Sequence, residues 1–256
     1  MQSPKSKPSP TPRKPSRPSR LELAGTMSAD ARSRIEQFIP LAERGLPRLR
    51  SGEGFAHTGR RISGAAMQVR AEGDSLRYAL MVALGLGQRD LATQSAVLGG
   101  SSASDLATYG AARAVDSEDL GAVALGAWAG AEVAGRADEL LFERLESAMA
   151  SEAAIDTVIC AWVLTAAVAG LPYSDTKQLA AAAAARLRAE QSPAGLVPHT
   201  PPATAIGRLR RHVGCFADQI YPIQALARYS VAFADETALA AANACAAQIV
   251  AGQGRE

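Results

Sequence analysis

Apolar residues along this chain recur at three- and four-residue spacing in successive blocks, the period of amphipathic helices, and no stretch reads as a strand. The spacing predicts helices over about 28–44, 74–87, 104–115, 117–134, 137–149, 153–169, 174–190, 216–233 and 236–251. Ser28 is placed to cap the first, whose apolar side is Ile35, Phe38, Ile39 and Leu41, and Pro40 and Pro47 are expected to kink or end it. Asp74 or Ser75 is placed to cap the second. Breaks such as GGSSAS and GLPYSD are short, so consecutive helices should run antiparallel. Two longer polar segments, 51–73 and 191–217, read as loops.

The helices alternate in character. Those beginning near Asp74, Ser117, Ala153 and Phe216 are apolar over most of their circumference, whereas those near Ser104, Ala137, Ser174 and Glu236 carry a charged face. Helices apolar all round belong inside and amphipathic ones outside, so the chain reads as inner–outer hairpins, with the first helix an unpaired outer member. The segment RLRSGEGFAHT, 48–58, also echoes RLRAEQSPAGLVPHT, 186–200, and each leads through an Arg-rich loop to an inner helix bearing Tyr78 or Tyr221.

This alternation, with the segments RAEGDSLRYALMVALGL and HVGCFADQIYPIQALARY, resembles the α/α-toroid (six-hairpin) superfamily over roughly residues 28–251, most nearly bacterial toroid proteins linked to polysaccharide chemistry. The resemblance implies an all-α fold of consecutive helical hairpins forming a partial or open α/α toroid, and a carbohydrate-binding or carbohydrate-active role in bacterial polysaccharide metabolism. A closed ring of this kind takes about six hairpins. The chain supplies about four and a half and stops at AAQIVAGQGRE, as an outer helix enters a Gly-containing loop, so residues 27–256 are expected to be one domain incomplete at its C-terminus.

Composition agrees with helix: 48% of residues are hydrophobic, mostly Ala, and only 5% are aromatic. The net charge of +2 conceals a division. Residues 1–20 hold Lys5, Lys7, Arg13, Lys14, Arg17 and Arg20 with no acid, leaving 21 basic against 25 acidic residues in the rest. Interleaved Pro and Ser make residues 1–26 a disordered basic tail by composition, without the apolar core of a signal peptide, and Met27 is an alternative start. The acidic remainder is not a nucleic-acid surface. Cys160, Cys215 and Cys245 are widely spaced and without metal-ligand spacing, which favours a reduced, cytoplasmic protein. The most apolar stretch, Ile155 to Leu171, contains Asp156 and reads as a buried helix rather than a membrane span. No P-loop, dinucleotide fingerprint, nucleophile elbow, zinc motif or acid-rich terpene motif is present, and no cofactor or metal is expected.

Candidate chemistry sits where inner helices begin. Asp74, Glu118, Asp119, Asp156 and Asp218 lie in or before first turns, where acids also serve as caps. Asp218 and Asp156 head the most apolar helices, and with His199 they are the candidate acid–base residues. Candidate ligand contacts are His57, Arg60, Arg77, Tyr78, Arg211, Gln219, Tyr221 and Gln224, donors and acceptors suited to sugar hydroxyls or an anionic group. Trp128 and Trp162 would stack on sugar rings or pack in the core. The competing readings are a non-catalytic helical scaffold or degenerate fragment, and, more weakly, isoprenoid or lipid-linked chemistry. The expected partner is a carbohydrate or other small molecule.

Overall fold

The computed structural model describes residues 20–62, 69–151, 153–200 and 214–252. Of the tail expected to be disordered, residues 1–19 lie outside these residues, as do Arg208, Arg210, Arg211 and His212, whereas residues 20–26 are helical. Chain contacts divide the molecule into residues 1–45 and 46–256.

In the first unit, helix α1 (Arg20–Met27) leads into α2 (Ala29–Gly45). Ser28 caps α2 as expected, its hydroxyl accepting from the Ala31 N–H at 3.1 Å. Pro40 does not end the helix, which continues to Gly45. Pro40 is exposed, so water can satisfy the carbonyl that its missing N–H leaves unbonded.

The second unit opens with a 3-10 turn, Leu46–Leu49, and two small antiparallel pairs: β1 (Arg50–Ser51) with β2 (Gly54–Phe55), and β3 (Thr58–Arg61) with β4 (Val69–Glu72). The expectation of no strands fails here. Thr58 pairs with Glu72 and Arg61 with Val69, and no residue of β3 or β4 is buried, so neither strand has the apolar alternation that marks a core strand.

Among the described residues nine further helices follow: α3 (Leu76–Leu86), α4 (Leu91–Leu98), α5 (Ala103–Val115), α6 (Leu120–Glu132), α7 (Glu139–Ala150), α8 (Thr157–Gly170), α9 (Lys177–Glu190), α10 (Phe216–Phe233) and α11 (Glu236–Gly252). The protein is all-α in class. Helix α4 is additional to expectation; it runs from an Asp90 cap, bonded to the Thr93 N–H at 2.9 Å, to a left-handed Gly99. Ser75, not Asp74, caps α3, and Ser102 forms a reciprocal box with Asp105 at the start of α5.

Helices α3, α6, α8 and α10 pack successively side by side, and each packs against an outer partner, α5, α7, α9 and α11 respectively. Every residue of α6 from Gly121 to Ala131 is buried, as is most of α8. Small residues bring these helices close: a Cβ on Gly126 would lie 2.7 Å from that of Ala114 on α5. Two side chains skip a neighbour. Arg77 of α3 lies over the Trp162 ring of α8, at 5.6 Å, and Arg228 of α10 reaches Glu132 of α6 at 2.7 Å.

Glu190, the last residue of α9, is poorly accommodated. Its side chain is only 10% exposed, Arg186 stands 3.4 Å away, and Oε2 has no hydrogen-bond partner. Burial pushes its pKa up, against the opposing pull of Arg186. A negative charge at a helix C-terminus is also disfavoured by the dipole. Because the native pKa exceeds the unfolded one, the penalty is absent at low pH and grows as pH rises through the native value. Glu190→Gln is expected to raise stability at pH 7 by about 1 kcal/mol, a gain that fades below the unfolded pKa of about 4.3. Thermal unfolding across pH checks this, and a less stable variant at pH 7 contradicts it.

Candidate functional site

The segment after α9 is drawn onto two inner-helix N-termini. Gln219, in the first turn of α10, accepts from the Val197 N–H at 2.9 Å and donates to the Val197 carbonyl at 2.7 Å. At α8, the Thr157 hydroxyl donates to the Pro198 carbonyl and the Thr157 N–H to that of His199, the latter at 3.2 Å. Gly195 makes the approach possible, with φ +91° and no room for a Cβ, which would lie 2.9 Å from the Ala244 carbonyl oxygen. These bonds fix His199 beside the start of α8, immediately after Asp156.

The His199 ring is bonded through Nδ1 to Asp218 Oδ1 at 2.9 Å. Asp218 is fully buried, and its other oxygen accepts from the Cys215 N–H at 2.6 Å. A carboxylate accepting at both oxygens makes Nδ1–H the donor, so in the neutral ring Nε2 is the acceptor nitrogen. The His199 side chain is 51% exposed. Such a pair can move a proton at the imidazole while Asp218 orients it; buried and doubly bonded, Asp218 is a positioning group rather than an acid in reach of a ligand.

Arg77, in the first turn of α3, is held by Asp119 at the N-cap of α6, with Nε donating at 2.5 Å and Nη2 making the second bond of a bidentate pair. Each charge favours the other: Arg77 holds the Asp119 pKa down and Asp119 raises that of Arg77. The guanidinium faces Trp162, whose ring meets Tyr221 edge-on at 5.4 Å. At 4% exposure Trp162 is part of the core and supports Arg77; it is not a surface for stacking sugars. Asp156 occupies the N-cap position of α8 without making a capping bond, is half-buried, and acts on Arg77 through its charge.

The structure thus gathers His199, Asp218, Asp156, Arg77 and Tyr221 at the N-terminal end of the inner row. Tyr78 is 47% exposed on α3, and Gln224 is half-buried one turn beyond Tyr221. Gln219, expected to face a wet cavity, instead spends both ends of its amide on the Val197 backbone. His57 and Arg60 belong to the strand region: His57 bonds Thr58 at 2.9 Å and lies against Gly73, and Arg60 pairs with Glu72 at 2.8 Å. The Glu72 pKa is held down by Arg60 and then Arg70. The echo between 48–58 and 186–200 does not extend to structure, one being strands and the other a helix end and a turn.

Sequence reading did not place Asp119 among its leading site residues, and it missed a second charged cluster lower on the inner row. There Glu132 accepts from the Trp128 indole at 2.6 Å and pairs with Arg228, whose guanidinium lies 5.8 Å from the Trp128 ring centre. The available signal was an acid at the end of an otherwise uncharged helix. Among the described residues no group of three or more metal-ligating side chains occurs. No family model, curated protein or solved structure matches the chain.

Proposed function

We propose that the chain is a carbohydrate-binding or carbohydrate-active protein of bacterial polysaccharide metabolism, with the inner row an arc of an α/α toroid and its site at the N-terminal end of that row. The observation that carries this reading is the half-exposed His199 ring, oriented by buried Asp218, with the His199 carbonyl bonded to the Thr157 N–H at the start of the helix whose N-cap position Asp156 occupies. Asp156 would accept a sugar hydroxyl, Arg77 and Tyr78 would donate, and His199 would carry the proton in any bond cleavage. Among the described residues, Asp119 and Asp156 present two carboxylates against the single guanidinium of Arg77, which suits a neutral sugar better than a uronate.

Neutral oligosaccharides should bind on a glycan array, and Asp156→Ala and His199→Ala should each weaken binding by about tenfold or more with an unchanged far-UV spectrum. A folded full-length chain that binds no glycan ends this reading. A second reading, a non-catalytic scaffold, is favoured by the number of bonds at this site that serve only to hold residues 197–199 in place. It predicts that His199→Ala alters stability and nothing else.

A further inference from the structure

We propose that the segment up to Gly45 is a peripheral membrane-docking element, the apolar stripe of α2 lying in the headgroup region of an anionic bilayer and the preceding basic residues held by lipid phosphates. None of residues 21–45 is buried. At 100° per residue, Ala31, Ile35, Phe38 and Ala42 fall in one stripe with Ile39 at its border; Phe38 is 65% exposed and Ile35 41%. Arg34 and Arg32 flank the stripe on opposite sides, where long side chains can keep their charge in water while the stripe is covered. An isolated helix of 17 residues is marginal in water, so a covering surface would also supply its stability.

Charge selects the occupant. Residues 1–20 carry six cations and no acid, while the remainder of the chain is net negative. A second copy seated on the stripe would bring two such basic segments together against their repulsion. RNA would neutralise the basic segment and leave the stripe in water. An anionic bilayer meets both features, and reversible anchoring of this type needs both an apolar and a basic contribution. Helix α2, about 25 Å long, would lie in the interface; no described helix is long and apolar enough to cross a membrane.

The test is co-sedimentation of the full chain with phosphatidylcholine vesicles, with and without phosphatidylglycerol. Binding is expected only with the anionic lipid, and Phe38→Asp should weaken it roughly tenfold or more, as should replacing the six basic residues of 1–20 by Gln. In a Phe38→Trp variant, added anionic vesicles should shift the emission to the blue. Absence of binding, binding unaffected by Phe38→Asp, or a vesicle-free dimer that Phe38→Asp dissociates would each overturn the proposal. Unchanged far-UV spectra keep loss of folding separate from loss of docking.

Discussion

Gly126→Leu is expected to cost the fold about 3 kcal/mol or more, read as a lower urea midpoint. Gly126 lies in the wholly buried stretch of α6, and even a Cβ there would stand 2.7 Å from the Ala114 Cβ and 3.5 Å from the Ala111 Cα of α5. Neither contact is the movable end of a long side chain, so relief requires α5 and α6 to separate. Separation would also loosen α6 from α3 and α8, its neighbours in the row. Leu is a better helix former than Gly by about 0.8 kcal/mol, far less than the clash. Gly85 is the matched control: it lies within α3, is exposed, and has no atom within 4 Å of an added Cβ. Gly85→Ala should therefore stabilise by about 0.5–1 kcal/mol. Two glycines in inner helices would thus respond with opposite signs, and equal responses would disprove the claim that close packing sets the α5–α6 distance.

The helices from α5 to α11 were legible because burial and composition agree along them: α6 and α8 are apolar all round and buried all round, while α7 buries only Leu141, Phe142 and Leu145. Helix α4 was missed although Asp90 and Gly99 carried its start and stop signals, since eight residues span barely two turns and show no amphipathic period. The β3–β4 pair was missed for a related reason: its register is set by backbone bonding, with Arg60 and Arg70 gathered on Glu72, and no buried face writes itself into the sequence. At the site, residue types at helix starts pointed to Asp156, Asp218 and His199 one by one. Their pairing, His199 with Asp218 and Arg77 with Asp119, depends on which helix ends meet in space, and periodicity carries no such information. Gln219 shows the converse: a polar residue on a buried face signals a need for partners, but not whether they are backbone or ligand.

Arg228→Met should destabilise the protein by about 2–3 kcal/mol, a value reduced from that of a fully buried pair because the two side chains retain some exposure. Arg228 and Glu132 are 26% and 17% exposed in their side chains and 2.7 Å apart, and the Glu132 carboxylate also takes the Trp128 indole N–H. Removing the cation takes the Arg228 charge away from a largely desolvated carboxylate, and the carboxylate's desolvation contributes much of the cost. Adding Glu132→Gln removes the negative charge yet keeps an acceptor for Trp128, so the double variant should be more stable than Arg228→Met alone by about 1–2 kcal/mol. Urea midpoints of the four proteins close the cycle, and additive losses would mean that the pair is not coupled. The regained stability should not restore the geometry, because a Gln side chain facing Met cannot tie α10 to α6 across α8.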